Sequence, residues 1–281
     1  MSAKARAVWI SATLFVTAAL ARRPGEPLRP GYNMFSKQQD VQLGQANAKR
    51  VLEQYQVVKN QFLQDYVGRV GNRLAEGTEA KQSGFHFNFT VLNVGEINAF
   101  ALPGGPMFIY TGLLKACDNE AQLAGVVGHE MSQAYIGEFA HHGVFSNNGA
   151  GEQRRQLNEI CFGRFMSAVP EDDVGLGANS VILKFSRDAE SEADALGSHL
   201  MAEAGYSPIE MAHFFEKLSS APHPPQFLSD HPNPGNREKA IQAELQTLPQ
   251  RSYTWQTGDF SRMKSELARL PSPPQAPATP Q

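Results

Sequence analysis

Apolar residues recur at roughly helical spacing in several segments of this chain and alternate with polar residues at 86–92, while residues 107–111 follow a turn as a short apolar run. Helical spacing predicts amphipathic helices, whereas alternation predicts half-buried strands. The predicted helices cover residues 36–74 in two parts, a segment from about 119 to 136, and residues 186–205, 207–217 and 236–248, with a weaker indication at 156–166. The predicted strands cover residues 86–92 and 107–111. This pattern indicates a mostly helical α+β fold with a small β-sheet.

A Pro-Gly-Gly-Pro turn at residues 103–106 precedes the second predicted strand. Proline cannot donate a hydrogen bond to a neighbouring strand, so prolines at both ends of this turn favour an edge position in the sheet. The helix that follows has Asp118 or Asn119 as its predicted N-cap. Gln122 stands where a capping box would place it.

The two ends of the chain differ from the middle in composition. Lys4 and Arg6 precede an apolar run at residues 7–21, which is short for a membrane span but typical of a signal peptide. An uncleaved anchor and a buried helix are the alternatives. We expect a signal peptide or anchor at 1–21, a linker at 22–33, a domain at 34–250, and an extension at 251–281 with a Pro-rich disordered tail. Export to the periplasm, or attachment to a membrane facing it, follows from this interpretation.

The net charge and the cysteine content exclude few classes of function. The formal net charge of −3 over 281 residues gives no basic surface for nucleic acid, so we expect no nucleic-acid partner. Cys117 and Cys161 are the two cysteines of the chain. In an exported protein they could form one disulfide or remain two thiols, and the spacing alone does not decide between these.

The helix that contains His129 is apolar on nearly every side, which predicts that it is buried. A buried Glu130 beside a buried His129 needs a compensating partner, because an unpaired charge inside a protein is costly. Zinc would supply one, with ligands at positions i and i+4 and the glutamate acting on the attacking water. Here Gln133 occupies the i+4 position. A satisfied core histidine is the alternative interpretation.

A second candidate segment, "SRDAESEADALG", carries Glu190 and Asp194 four residues apart at one edge of an apolar stripe. Like charges at this spacing destabilise an exposed helix. At a buried edge they suit a metal site, in which one carboxylate binds the ion and the other holds a histidine ligand by its ring N–H. A solvated acidic helix face is the alternative.

Four motifs occur in a fixed order: "NAFALPGG", "GHEM", "SRDAESEADALG" and "FLSDHPNPGNR". Together they resemble the gluzincin peptidases of metallopeptidase family forty-eight, which includes the CAAX prenyl proteases and HtpX-like proteases. "FSKQQDVQLG" near the start is similar to the soluble branch of the periplasm and mitochondria. The likeness covers residues 34–131 and 175–250. It implies a zincin-like domain, one zinc ion, and a peptide or protein substrate bound in extended form.

The resemblance implies a role for each matching position. His129 corresponds to the first zinc ligand, Glu190 to the third, and Glu130 to the general base. Asp194 corresponds to the carboxylate behind a ligand, whereas His231 and Arg237 correspond to residues near the substrate and the oxyanion. The implied substrate-binding segment is an edge strand with Asn98, Ala99, Phe100, Ala101, Gly104 and Gly105. An extended peptide would pair with this strand by main-chain hydrogen bonds.

The likeness breaks at residues 132–175. The family has its second zinc histidine where this chain has Gln133, whose neutral amide is a much weaker zinc ligand than imidazole. His141 and His142 point away from His129 on a continued helix, although a break at Gly137 could bring them back. The resemblance also leaves open His231 as a fourth ligand that blocks the metal in a resting state.

Two hypotheses follow. The first is an envelope zinc metalloendopeptidase whose activity is impaired by the missing ligand. The second is an inactive pseudopeptidase that binds extended segments as a chaperone-like module, with an envelope or membrane protein as partner. His199 lies on the side of its helix opposite Glu190, so we expect it at the surface.

Overall fold

The computed structural model describes residue 24 and residues 36–76, 78–136, 187–223, 225–231, 235–249 and 251–274. The predicted signal peptide, the weakly indicated helix at 156–166, Cys161, His141 and His142 lie outside the described residues. The predictions for them therefore stay predictions. No helix within the described ranges is both long enough and apolar enough to cross a membrane.

Most of the predicted helices and both strands are present in the structure. Within the described ranges the helices are α1 (Lys37–Gln54), α2 (Gln61–Glu76), α3 (Thr111–Ala116), α4 (Glu120–Ile136), α5 (Arg187–Glu203), α6 (Ile209–Ser219), α7 (Gln226–Asp230), α8 (Arg237–Leu245) and α9 (Phe260–Ala268), with a 3₁₀ helix at Glu79–Ser83. The strands are β1 (Asn88–Leu92), β2 (Ala99–Ala101) and β3 (Pro106–Tyr110). The mostly helical α+β class is confirmed.

The three strands form one sheet in the order β1-β3-β2, with β1 parallel and β2 antiparallel to β3. The outer edge of β1 is covered. Val58 N–H donates to Val91 C=O at 2.9 Å, and the Gln64 side chain both accepts from Val91 N–H at 2.9 Å and donates to its C=O at 3.1 Å. The free edge is therefore that of β2, on the side of the sheet that packs near α4.

The turn between β2 and β3 depends on its two glycines. Gly104 and Gly105 have φ angles of 77° and 115°, a region that favours glycine. A Cβ at Gly104 would lie 2.5 Å from Val41 Cα of α1, and one at Gly105 would lie 2.5 Å from the His86 carbonyl oxygen. β2 is an edge strand, but β3, which begins at Pro106, is central. The expectation from the prolines was thus wrong for β3, because a proline is tolerated as the first residue of a strand.

Close packing of α4 on α5 sets the position of the candidate site. Gly128 and Gly197 face each other across this helix pair: a Cβ at Gly197 would lie 3.1 Å from the His129 backbone nitrogen. Absence of a side chain at both positions lets the two backbones approach. As a result, the stripe of α4 that carries His129 lies directly beside the acidic edge of α5.

Residues 251–274, predicted as an extension, pack against the body of the molecule. Phe260 and Met263 of α9 are buried, and Trp255 C=O accepts from Ala121 N–H at 2.8 Å. Thr257 donates to the buried Glu120 carboxylate at 2.6 Å. This segment therefore holds the first turn of α4. The Pro-rich residues 275–281 are outside the described part.

Candidate active site

The N-terminus of α4 is fixed by the predicted cap. Asn119 Oδ1 accepts from Gln122 N–H at 2.9 Å, and Gln122 Oε1 accepts from Asp118 N–H at 2.8 Å. From this start the helix runs through the core, and its residues from Ala121 to Ala134 are all buried. The prediction of a buried helix is confirmed. His129, Glu130 and Gln133 are consequently held in an environment that water does not reach freely.

Helix α5 brings two carboxylates to the histidine of α4. His129 Nδ1 lies 3.0 Å from Asp194 Oδ1, and His129 Nε2 lies 3.3 Å from Glu190 Oε2. Both carboxylates are buried, at 0 % exposure for Glu190 and 2 % for Asp194. The alternative of a solvated acidic face is therefore wrong. Their i, i+4 spacing places one carboxylate at each nitrogen of the same imidazole ring.

Helices α7 and α8 supply the other two predicted residues. His231 follows α7, and its Nδ1 lies 3.1 Å from Glu190 Oε1 and 3.3 Å from His129 Nε2. Its Nε2 lies 3.3 Å from Glu130 Oε1. Arg237, the first residue of α8, donates from Nε to Asp194 at 2.6 Å and from Nη2 to Glu190 at 2.7 Å. One guanidinium thus bridges both carboxylates of α5.

Gln133 points into the same cluster. Its side-chain nitrogen lies 3.1 Å from His129 Nε2, 3.1 Å from His231 Nδ1 and 3.0 Å from Glu190 Oε1. Gln133, which stands where the family has a zinc histidine, therefore reaches the position expected for a ligand side chain.

The charges of the cluster are strongly coupled. Burial alone lowers the pKa of His129, but the Glu190 and Asp194 carboxylates outweigh it and raise this pKa to about 10. Burial raises the pKa of Glu190, yet the neighbouring His129 and His231 bring it below its ordinary value. For Glu130 burial dominates, and its pKa is raised despite the two histidines. A carboxylate with a raised pKa is a stronger base than an ordinary glutamate.

Aromatic rings that sequence reasoning missed form one wall of the site. The Phe227 ring stacks on His231 with centroids 4.4 Å apart, and Phe215 meets His129 edge-on at 5.4 Å. The Arg237 guanidinium lies 4.1 Å from the Phe215 ring centroid. A signal for Phe227 was present, because it opens the motif that contains His231. Phe215 lies in the apolar stripe of an ordinary amphipathic helix, so the sequence contained no signal that it lines the site.

The edge strand meets the site at one end. Asn98 C=O and Leu102 N–H bond to β3, so the main-chain groups of Ala99 and Ala101 face the free edge. The Ala101 backbone donates a hydrogen bond to the Glu130 carboxylate, and Asn98 Nδ2 lies 3.5 Å from Asp230 beside His231. The two predicted glycines lie in the turn that packs on α1, and their role in substrate binding stays a prediction.

His199 lies apart from this cluster, as its position on α5 predicted. Its Nε2 lies 3.0 Å from Glu244 Oε2 of α8, and its side chain is 18 % exposed. It is thus partly buried by a partner on a neighbouring helix rather than fully at the surface.

Three buried side-chain atoms within the described ranges have no hydrogen-bond partner: Glu130 Oε1, Gln133 Oε1 and Arg237 Nη1. All three belong to this one site. Buried polar atoms are nearly always paired in native proteins, so a cluster of unpaired atoms indicates that something else is meant to bind there.

Comparison with known proteins agrees with this geometry. The family model "Peptidase family M48" matches residues 62–245, which is more than half of the chain and includes α2 to α8. This chain belongs to peptidase family M48. The family comprises zinc metallopeptidases, and the resemblance inferred from the four motifs is confirmed.

Relatives within and beyond bacteria share the M48 region. The chain is 27 % identical to the beta-barrel assembly-enhancing protease of Escherichia coli K12 over 215 residues, covering 71 % of this chain and 42 % of that protein. It is 29 % identical to the mitochondrial metalloendopeptidase OMA1 of Arabidopsis thaliana, covering 66 % and 37 %. Human OMA1 is 31 % identical over 156 residues. The chain thus spans less than half the length of these relatives.

The M48 site has donors that suit zinc. Ligand atoms of His129, Glu130 and His231 lie within 4.8 Å of one another, and Glu190 joins them through its contacts with both histidines. Imidazole nitrogens and carboxylate oxygens are the usual ligands of catalytic zinc. Together with the three unpaired buried atoms, this donor set fits the metal that the family implies.

Proposed function

We propose that this chain is a zinc-dependent endopeptidase that cleaves extended or unfolded protein segments, with activity impaired by Gln133. The observation that carries the proposal is the convergence of His129, Glu130 and Glu190 in one buried cluster at the end of a free strand edge. Zinc held there by His129 and Glu190 would polarise the scissile carbonyl and the attacking water.

Glu130, Asp194 and Arg237 would each have a separate role in catalysis. Glu130, with its raised pKa, takes a proton from the attacking water and passes it to the leaving nitrogen. Asp194 accepts from His129 Nδ1–H, which fixes the ring so that Nε2 faces the metal position. Arg237 compensates the two carboxylates of α5, and its unpaired Nη1 is available to stabilise the oxyanion.

The substrate would bind along β2. The carbonyl groups of Ala99 and Ala101 face away from β3, and an extended peptide could donate to them as a fourth strand. The N–H groups of these residues donate to the Asn98 side chain and to Glu130, so they would have to exchange acceptors to pair with the peptide. The opposite edge of the sheet is covered by Gln64 and the residues before α2. This asymmetry supports the substrate-binding role proposed for the edge strand. The hydrogen bond from Ala101 to Glu130 would then set the distance between the bound peptide and the general base.

The proposed location is the cell envelope, with the chain exported to the periplasm or held at a membrane facing it. The apolar N-terminal segment and the M48 relatives support this. A protein or peptide in extended form is the proposed partner, with membrane or envelope association as a further expectation.

A second function is favoured by one observation. Gln133 presents its amide nitrogen to His129, Glu190 and His231, and the two N–H donors of a neutral amide can hydrogen-bond two of these three groups without a metal. A pseudopeptidase that binds extended segments would keep the β2 edge and need no zinc.

Casein hydrolysis by the purified chain distinguishes the two. We expect slow, chelator-sensitive cleavage by the natural chain, faster cleavage by Gln133→His, and none by Glu130→Gln in either background. Glu130→Gln is the matched control because it keeps the size of the side chain. If Gln133→His shows no cleavage that depends on Glu130, the endopeptidase proposal fails and binding of unfolded casein becomes the function to measure.

A further inference from the structure

The two histidines of the site have matching surroundings. His129 turns Nε2 towards the centre of the cluster and places Nδ1 3.0 Å from Asp194. His231 turns Nδ1 towards the same centre and places Nε2 3.3 Å from Glu130. A histidine that binds a metal almost always has a carboxylate, carbonyl or water at its other ring nitrogen. By this criterion His231 resembles His129, with the difference that its carboxylate neighbour is in ion-pair contact whereas Asp194 is hydrogen-bonded.

Four donor positions around this centre have nearly equal spacing. His129 Nε2, His231 Nδ1 and the Gln133 side-chain nitrogen lie 3.1 to 3.3 Å from one another. The Glu190 carboxylate completes the group, with Oε1 3.0 Å from Gln133 and 3.1 Å from His231, and Oε2 3.3 Å from His129. Groups about 3 Å apart on several sides of one point leave that point about 2 Å from each of them, which is the distance at which zinc binds nitrogen and oxygen.

Gln133 is the weakest potential zinc ligand among these four side chains. Its nitrogen, which faces the centre, has no lone pair to offer a metal, whereas its oxygen is buried without a hydrogen-bond partner. Rotating the amide by half a turn would exchange the two atoms and present the oxygen. Even so, an amide oxygen is a poorer zinc ligand than imidazole. A three-ligand set that depends on residue 133 would therefore be deficient.

We infer that in this chain His231 replaces the imidazole that position 133 lacks, so that zinc is held by His129, Glu190 and His231. This inference rests on the zinc-binding part of the proposed function. It differs from a blocking fourth ligand, because here His231 is needed for the metal to stay bound. It also changes the role predicted for His231 from contact with the oxyanion to metal binding.

The assignment has a consequence for Glu130. While His231 holds the metal, the carboxylate near its Nε2 is Glu130, at 3.3 Å, on the side of the ring where Asp194 lies for His129. Glu130 then acts as a positioning residue for His231. With His231 as a ligand and Gln133 beside the same centre, we expect the chain to retain metal binding while its peptidase activity is low.

The test is a cycle of four proteins: the natural chain, His231→Ala, Gln133→His, and the double variant. Zinc affinity is measured by competition with a chromophoric chelator, and zinc content by mass spectrometry. We expect His231→Ala to weaken zinc binding by about 100-fold in the natural background, as the loss of a direct ligand should exceed that of a second-layer partner. In the Gln133→His background the same change should weaken it by about 3-fold or less.

His199→Ala is the matched control, because it removes a partly buried histidine of α5 that contacts Glu244 outside the site. It should leave zinc affinity unchanged. Circular dichroism of each variant checks that the fold is kept, and the visible absorption of the cobalt-substituted natural chain should have the intensity of a tetrahedral centre.

The possible outcomes distinguish a wrong assignment of His231 as a ligand from a complete absence of zinc binding. Equal zinc affinity of the natural chain and His231→Ala would overturn the ligand assignment while leaving zinc binding intact. Zinc in Gln133→His but none in the natural chain would also overturn it, since His231 would then fail to replace the missing imidazole. Absence of zinc from both proteins would remove the proposed metallopeptidase function itself.

Discussion

Buried carboxylates lie at two places along α4, near its start and near its end, and their hydrogen-bond partners differ. At the start, Glu120 accepts from Tyr66 at 2.7 Å, Tyr206 at 2.8 Å and Thr257 at 2.6 Å. Near the end, Glu130, Glu190 and Asp194 face two imidazoles and one guanidinium. The same helix thus carries a cluster that joins elements together and another that is built for chemistry.

The difference lies in how fully each cluster is satisfied. Every buried atom of the Glu120 cluster has a partner, and its three hydroxyl donors come from α2, the loop after α5 and the segment before α9. The three unpaired buried atoms known within the described ranges all lie in the other cluster. A structural network is most stable when every buried polar atom in it has a hydrogen-bond partner. A functional site, in contrast, keeps buried polar atoms without protein partners, and a bound ligand supplies those partners.

The strongest test of this contrast is Arg237→Met. It removes the guanidinium that bridges Glu190 and Asp194 and leaves two buried carboxylates without their compensating cation. We expect the free energy of unfolding to fall by about 3–5 kcal/mol. Urea unfolding monitored by circular dichroism measures this change, in the presence of chelator.

Added zinc provides the control for that variant. A bound cation would compensate part of the lost charge, so excess zinc should restore some of the stability of Arg237→Met. A variant as stable as the natural chain without zinc would contradict the view that Arg237 holds the acidic pair.

Glu120→Ala tests the completed cluster and should have the next largest effect. Loss of this carboxylate leaves three hydroxyls at the junction of α2, α4 and the C-terminal segment without their acceptor. We expect a loss of about 2–3 kcal/mol, since hydrogen bonds to charged groups contribute more than neutral ones. Urea unfolding gives the value, and zinc affinity should not change. A matching loss of zinc binding would show that the two clusters are coupled through α4.

Sequence reasoning reached the secondary structure, the fold class and the membership of the site cluster, because these depend on local periodicity and on motifs carried along the chain. His129, Glu190 and Asp194 converge as the resemblance implied. The bridging role of Arg237, the contacts of His231 with both Glu130 and Glu190, and the central position of β3 were not accessible. They depend on how elements far apart in sequence pack together, and no local pattern encodes the approach of α8 to α5.

The packing of residues 251–274 was missed for a related reason. Their apolar residues, such as Phe260 and Met263, give a short amphipathic helix that could equally belong to an exposed extension. What ties this segment to the body is the buried Glu120, whose partner Thr257 lies 137 residues away. The sequence around Glu120 does not indicate which residues donate hydrogen bonds to its carboxylate.

Glu130→Gln should change stability much less than Glu120→Ala, although both replace a buried glutamate of α4. Glu130 Oε1 has no hydrogen-bond partner, and burial raises the pKa of the carboxyl. Removing a poorly compensated charge should shift the free energy of unfolding by no more than about 1 kcal/mol, and the shift should favour the folded state. Urea unfolding at neutral pH measures it. A loss as large as that of Glu120→Ala would mean that Glu130 is a structural residue, and the contrast between the two clusters would fail.

The smallest effect is expected at Cys117, a buried ionisable group outside both clusters. Its thiol is free and fully buried after α3, and burial raises its pKa to about 12. Because the folded-state pKa lies above the unfolded value, this residue favours folding below pH 9 and ceases to do so as the pH rises towards 12. At pH 8 native Cys161→Ser should therefore not react with a thiol reagent, whereas the same protein in urea should react at one site per chain. Rapid labelling of the native variant would mean that the core around α3 opens, and the completed cluster at Glu120, next to it in the chain, would then be less rigid than its hydrogen bonds indicate.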